Sequence, residues 1–530
     1  MAPVNWVIVA VYILAIMGIG YLAGRSQKSR EDYFLGGRRV SPWLVASSLL
    51  ANQVSAISLV SAPAFIAARS GGGLKWLQYE VAVPLAMVFI MVFLAPVFRA
   101  ADGISIYEIL EKRFGRPTRL ALSLIFMINR SLGGGVILLA TSYVTAVLLK
   151  MDIHSTILLV GVVSMTYTAI GGILADIYSD LIQLVVLWGS CVACIVIIIQ
   201  HLGGPAGFPA SEAGRLLVYN IHSSGLGDGE TFSFWPMLFG GFFLYVSYYG
   251  CDQSQAQRLL ATKDMAGSWK ALLINGIARF PLVITYCSLG ALMIIFLAGN
   301  PEFAARMKGL SPDYLMPLFF MTYVPDGLLG LIVVGILAAS MSSLDSTINS
   351  LSAVTWEDFL LRIFPDLGKL KGRRIVWLSR LITILWGTAS IAFALAMAER
   401  SETIIELINK IGSALYGPIA AVFIIGIFSR RIGGAGALAG LACGIGTNLM
   451  LWVFFERQVS WMWWNVIGVM ATALVGIASG VFRSDGASTG TVMFSALERK
   501  IVIRYGSMLV VWFVAIIVFC AISERILAVF

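Results

Sequence analysis

The sequence repeats one pattern from end to end: runs of roughly 20 or more mostly apolar residues, joined by short segments where Lys, Arg, Gly and Pro collect. A run of that length lets an α-helix cross about 30 Å of hydrocarbon, so each is read as a membrane-spanning helix. Fourteen runs are found, near 4–24, 42–68, 74–98, 120–149, 154–174, 178–200, 233–256, 270–298, 326–354, 374–397, 402–428, 433–455, 461–482 and 505–525. Strands of a spanning barrel would instead alternate apolar and polar positions over about ten residues, a pattern not seen here. The pattern predicts an all-α polytopic membrane protein with no room for a soluble domain between runs. No basic segment precedes the first run, Val4 to Gly24, which is long enough to span, so it is expected to stay as a helix and not be cleaved as a signal.

Composition agrees, since 59% of the 530 residues are hydrophobic and 12% charged, about half the charged share of a soluble domain. A net charge of +9 would suit a nucleic-acid partner, but the basic residues lie in short loops between apolar runs. They give a topology signal of the positive-inside kind, and no nucleic-acid partner is expected. With the uncharged N-terminal end placed outside, most of the 37 Lys and Arg residues fall in inner loops. Arg25, Lys28, Arg30, Arg38 and Arg39 after the first run illustrate this, and an even number of spans returns the C-terminus to the outside. The expected location is the plasma or inner membrane. The six cysteines lie in or beside apolar runs, which implies neither a disulfide framework nor a zinc ribbon. His154, His201 and His222 sit at the outer face, widely separated, and make a poor metal or general-base set.

Polar groups within spans are costly and usually face a cavity or another helix, so their grouping carries the functional information. In the ninth span Ser342, Ser346, Asn349 and Ser350 recur at helical spacing beside Ser343, forming one polar stripe, and Asp345 adds a carboxylate. Small residues are a common packing device between membrane helices, but that does not account for a carboxylate. Hydroxyls with a carboxylate make an oxygen-only set suited to a hard cation. The second span is polar from Ser47 through Gln53, Ser55 and Ser58, with Pro63 following, which fits a helix broken at mid-membrane or a polar continuous one. The seventh holds Tyr245, Ser247, Tyr248, Tyr249 and Gly250, then Asp252, Gln253, Gln255, Gln257 and Arg258, either a pathway lining or an aromatic core. Gln78, Glu80, Arg130, Asp180, Arg279 and Lys410 are single polar residues, open to interhelical pairing or to a place in the pathway.

Several segments, in order, resemble the sodium:solute symporter family. Glu31 to Gly37 is similar to its first inner loop and Ala51 to Ser55 to its broken first core helix. Tyr167 to Gly172, then Asp180-Leu181-Ile182-Gln183, resembles its Gly-Gly turn and the helix start after it. Gln257-Arg258 closes the sixth core helix, and Gly426 to Gly444 is close to the family signature, departing at Ala442.

The resemblance implies an inverted repeat of five plus five helices. Residues 1–41 form a leading helix and first cytoplasmic loop, 42–200 the first repeat, 201–232 an extracellular loop, 233–428 the second repeat and 429–530 three accessory helices. It further implies sodium as coupling ion, with no organic cofactor, held by Ala51, Val54, Ala339, Ser342 and Ser343. A second ion in some members maps onto Asp180, Ser342, Asp345 and Ser346. Asp345 replaces the family's serine, and either strengthens an ion site or pairs with a basic group. For the solute pathway the similarity points to Gln53, Ser55, Ser58, Gln78, Glu80, Tyr248, Tyr249 and Lys410. Glu80 and Tyr248 match sugar-transporter positions, whereas Lys410 and the run Val354 to Phe359 lean toward carboxylate carriers.

The expected function is therefore sodium-coupled symport of a small polar organic solute, sugar-like or carboxylate, by alternating access across the lipid bilayer. Proton coupling through Asp180 or Asp345 is the alternative. A membrane sensor is disfavoured because the inner segment Arg483 to Arg504 is too short for a signalling domain. An enzyme is disfavoured because no nucleophile and His pair lies at membrane depth.

Overall fold

The computed structural model of the protein describes residues 2–54, 56–202, 208–370, 372–398, 404–480 and 494–527. Within them regular structure is helical, apart from isolated bridges pairing Val40 with Thr262 and Leu226 with Val459. The first half supplies α1 (Pro3–Arg25), α2 (Arg30–Leu35), α3 (Pro42–Gln53), α4 (Ala56–Ala67), α5 (Leu74–Ala101), α6 (Arg116–Leu149) and α7 (Ile153–Leu202). The second half supplies α8 (Phe234–Val246), α9 (Gln253–Leu260), α10 (Met265–Gly299), α11 (Leu328–Val354), α12 (Arg373–Met397) and α13 (Ile404–Phe428). Then come α14 (Gly434–Phe455), α15 (Trp461–Gly480) and α16 (Ala496–Leu527).

Among the described residues 11 helices are long and apolar enough to cross a membrane, or 12 when the bent pair α3 and α4 is taken as one span. The sequence pattern predicts more runs than this, and the difference arises at two helix breaks. The fifth and sixth runs form one 50-residue element, α7, interrupted where Gly172 takes φ 55 and ψ −154. The seventh run is divided: α8 has 13 residues and passes through a π turn, Ser247–Cys251, into extended Asp252 at φ −99 and ψ 129. Asp252 then accepts from the Ser254 amide and starts α9, an N-cap that makes the interruption locally stable.

Breaks inside a membrane protein persist only where the freed backbone groups find partners. At Gly172 three carbonyls do. The carbonyl of Ala169 accepts from the Tyr33 hydroxyl at 3.1 Å, that of Ile170 from Arg380 at 2.9 Å and that of Gly171 from Gln27 at 2.5 Å. Tyr33 lies on α2, which a Ser29/Asp32 capping box starts and Gly36, at φ 60, ends. The other break follows Gln53, where Val54 leaves the helix at φ −91 and ψ 109 and the two halves bend by 52°.

Helix α11 runs through the interior. The best apolar window of the helix beginning at Leu328 is 89% buried, against 22% for α1 and 17% for α16, whose outer faces are left for lipid. It packs on α1, α3, α4, α6, α7, α9 and α12. A polar stripe on such a helix faces protein on every side and must find its partners there.

One consequence concerns Gly172. A Cβ there would lie 2.5 Å from the Tyr33 carbonyl oxygen, in a backbone region side chains avoid. Gly172→Ala is expected to cost roughly 1–3 kcal/mol, read as a lower melting temperature of the purified protein in detergent. An unchanged melting temperature would contradict this account of the break.

Candidate functional site

A buried polar cluster joins four helices around one guanidinium. Asp176 and Asp180, four residues apart, share a face of α7; Ser342 and Ser346 do the same on α11. Arg258, at the end of α9 and fully buried, reaches both helices. Its Nη2 lies 2.7 Å from Asp176 Oδ2 and 3.5 Å from Asp180 Oδ2, and also donates to the Ser346 hydroxyl. Its Nε donates to Ser48 Oγ of α3 at 2.6 Å and its Nη1 to the Ser254 carbonyl at 2.7 Å. Ser48 in turn donates to Asp180 Oδ2, and Ser342 donates to Asp180 Oδ1. The first segment of the broken helix and the hydroxyl stripe of α11 therefore meet on one carboxylate. Next along, Gln257 Nε2 donates to Asn349 Oδ1 at 2.9 Å and to the Phe34 carbonyl at 2.6 Å.

Of the five expected sodium ligands, Ala51 and Val54 are buried at the end of α3, and Ala339 and Ser343 lie one turn apart on α11 with the Ser343 hydroxyl 3.4 Å from the Ala339 carbonyl. Helices α3 and α11 pack on each other. Ser342 turns its hydroxyl to Asp180. The second expected ion group divides. Asp180 and Ser346 meet at Arg258, whereas Asp345 accepts from Ser164 of α7 and its Oδ2 has no hydrogen-bond partner. The pairing of Asp345 with a basic group, open in the sequence, is not found among the described residues.

The expected solute residues fall into three places. Tyr248 lies beside the α3 break: its hydroxyl is 3.4 Å from the Asn52 carbonyl and accepts from Gln255 at 2.9 Å, and its ring lies under Arg130 at 5.3 Å. Arg130 is itself paired with Asp252 at 2.7 Å. Gln53 Oε1, Asn52 Nδ2 and Gln255 Oε1 are buried there without hydrogen-bond partners, a set of donors and acceptors available to a polar molecule, whereas the Tyr249 ring packs against those of Tyr245 and Tyr248. Ser58 lines a small cavity with Val54, Leu59, Cys191, Leu282 and Tyr286. Ser55 lies outside the described residues.

Glu80 and Gln78 stand apart from that group. Glu80 makes a bidentate pair with Arg279 at 2.8 and 2.9 Å and accepts from Tyr245 at 3.3 Å. Gln78 binds the Lys75 carbonyl at 3.1 Å and the Asn220 amide at 2.9 Å, so it anchors the segment before α8. Lys410 pairs with Glu456, just past the end of α14.

The sequence pattern did not single out Asp176, Ser164 or Tyr12, and Ser48 entered only as part of the polar second span. Asp176 sits one helical turn before Asp180 and Ser48 lies in the polar second span, so a search for same-face pairs would have found both. Ser164 and Tyr12 are isolated in apolar runs, and only packing reveals them.

Residues 33–444 match the model of the family described as "Sodium:solute symporter family". Among curated relatives, the human sodium/iodide cotransporter is 29% identical over 450 residues, covering 84% of this chain and 68% of that one. The sodium/sialic acid symporter NanT of Aliivibrio fischeri is 29% identical over 512 residues, covering 94% and 97%. These relatives are transporters and not enzymes. A solved Na+-coupled sialic acid symporter in a substrate-bound outward-open state has a TM-score of 0.79 at 23% identity, covering 92% of this chain and 99% of that one, a likeness of fold. Multi-pass helical architecture, the ordered motifs and a family match over most of the length agree: the chain belongs to the sodium:solute symporter family.

Proposed function

We propose that this protein couples sodium entry to uptake of a small polar organic solute, carboxylate or sugar-like, by alternating access in the plasma or inner membrane. The observation that carries the reading is the meeting of α3, the first segment of the broken helix, with the hydroxyl stripe of α11 at Asp180. In this reading sodium is cargo, bound by the carbonyls of Ala51, Val54 and Ala339 and the hydroxyls of Ser342 and Ser343. Ser342 exchanges Asp180 for the ion as it enters. Sodium then ties the first core helix to α11 and favours the outward-open form that admits solute. The solute lies beside Tyr248, against the unpartnered polar atoms of Asn52, Gln53 and Gln255.

The accompanying topology is fourteen spans with both termini outside, counting α7 as two spans divided at Gly172 and α8 with α9 as one span interrupted at Asp252. Residues 42–200 and 233–428 form the two inverted repeats, a leading helix lies within 1–41, 201–232 is an outer loop, and 429–530 adds three helices.

Sodium chloride is expected to raise the melting temperature of the purified protein relative to choline chloride. Ser342→Ala/Ser343→Ala should weaken the apparent sodium affinity by about tenfold or more, ~1.4 kcal/mol. Repeating the measurement with sugars, carboxylates and amino acids identifies the solute class, and uptake into vesicles under imposed sodium or proton gradients identifies the driving ion. Sodium dependence that survives in the double variant would refute the proposed ligand set.

The Glu80–Arg279 pair bears on the solute. Two charges this deeply paired are committed to each other, so Glu80→Ala or Arg279→Ala should cost stability, roughly 3–5 kcal/mol each. The double change should cost less than the sum of the two. Additive losses, or a Glu80→Ala variant of unchanged stability that merely loses solute binding, would instead make Glu80 a solute ligand.

A further inference from the structure

Helices α1 and α12 both pack on α7, and one arginine joins all three. Arg380 of α12 donates through Nη2 to the Ile170 carbonyl of α7 at 2.9 Å and reaches the Gly24 carbonyl of α1 at 3.5 Å. Gly24 permits the approach, since a Cβ there would lie 2.4 Å from the Ile170 oxygen and 3.2 Å from Arg380 Nη2. Two carbonyl dipoles offset part of the guanidinium charge, and among the described residues no carboxylate completes the balance.

Other cations gather at the same crevice. Arg25, next to Gly24, holds its guanidinium 5.7 Å from the centre of the Tyr21 ring, and Arg380 holds its own 5.9 Å from that of Trp377. Both rings are largely exposed, Tyr21 at 59% and Trp377 at 65%. Arg373 and Arg374 open α12 and are exposed, and Arg373, Trp377 and Arg380 recur at helical spacing on one face. Among the described residues none of these four arginines pairs with a carboxylate, whereas Arg30, Arg38, Lys112 and Lys369 in the basic loops each do. The carboxylates that follow α1 are committed, Glu31 to Arg38 and Asp32 to the amides of Lys28 and Ser29. Further into the span the exposed side chains turn apolar, with Leu381 and Leu385 on α12, Val162 on α7 and Leu14 on α1.

The bias of basic residues toward one side of the membrane accounts for Arg373 and Arg374, which extend into solvent. It does not account for Arg380, on the third turn of α12 and drawn back onto main-chain carbonyls of two other helices. A charge held at that depth calls for an anion. A phosphodiester supplies one, with acceptor oxygens for guanidiniums on both sides. Exposed Tyr and Trp are the side chains that settle at headgroup level, where one end of the ring is apolar and the other wet. The apolar faces beyond them offer a bed for acyl chains, which a soluble anion would leave uncovered.

We propose that the crevice between α1 and α12, backed by α7 at Ile170, binds one anionic phospholipid from the leaflet on the side of the basic loops. Its phosphate lies between Arg25 and Arg380, its outer headgroup faces Arg373 and Arg374, and Tyr21 and Trp377 flank the glycerol. The lipid completes the counter-charge that ties α1 to α12. It also steadies the neighbouring break at Gly172, because Arg380 holds the Ile170 carbonyl released there. The site needs neither the sodium nor the solute assignment.

Native mass spectrometry of the purified full-length protein, given equal amounts of dioleoylphosphatidylglycerol and dioleoylphosphatidylcholine in detergent, tests this. The wild type should retain one phosphatidylglycerol in preference to phosphatidylcholine. Phosphatidylglycerol should raise its melting temperature, and inorganic phosphate at the same concentration should not. Arg25→Gln and Arg380→Gln should each weaken the retention about fivefold. Lys112→Gln, which removes a cation already paired with Glu108, should leave it unchanged. If Arg380→Gln does not fold, the exposed triple change Arg25→Gln/Arg373→Gln/Arg374→Gln carries the test. Equal retention of the two lipids, or retention that survives in the triple variant, would overturn the proposal. So would an equal loss in Lys112→Gln, which would reduce the effect to general surface charge. Stabilisation by inorganic phosphate as large as that by phosphatidylglycerol would replace the lipid with a soluble anion and overturn it as well.

Discussion

A guanidinium held at the centre of an apolar bundle organises the polar interior of this protein. Arg258 cannot lose its charge at ordinary pH, and burying an ion of that size is opposed by several kcal/mol of lost hydration unless its donors are met. Asp176 and Asp180 supply the charge, and Ser48, Ser346 and the Ser254 carbonyl fill further donor positions. Because those groups lie on α3, α7, α9 and α11, satisfying one side chain fixes the mutual placement of four helices. Ser342 and Ser48 then have Asp180 within reach, and α3 is held beside α11 as a by-product of neutralising Arg258.

The same rule governs other charges within or beside the spans. Glu80 is matched by Arg279, Asp252 by Arg130, and Asp358 by Arg119 at 2.9 Å with Ser105 donating at 2.9 Å. The backbone obeys it too, with Tyr33, Arg380 and Gln27 each taking one carbonyl released at Gly172. Asp345 departs from it, and the atoms around the α3 break depart in a milder way, having donors and acceptors with no partner. In a medium without water such departures are costly.

Much of the architecture could be read along the chain. Helix length against bilayer thickness located the apolar runs, and the order of the short motifs carried the family, because both are local properties of the sequence. The turn at Gly172 was legible through the family's Gly-Gly motif, whereas the polar patch before Pro63 left a broken and a continuous second span both open. Helix boundaries near Asp252 were less so. The cap that interrupts the seventh run draws on a side chain whose choice between solvent, backbone and Arg130 depends on a helix more than a hundred residues away.

The sequence by itself determined that the chain is a many-spanning helical protein of this family, with its polar residues concentrated on α3, α8, α9 and α11, because hydrophobicity and spacing are written residue by residue. Tertiary structure alone decided which polar groups meet. It gave Glu80 to Arg279, Lys410 to Glu456, and separated Asp345 from Asp180, although α7 and α11 carry Asp180, Asp345 and Ser346 at similar depth. The physical reason is that a buried charge selects its partner by distance and direction across helices, and those are set by how the helices pack and rotate, which spacing along one chain does not encode.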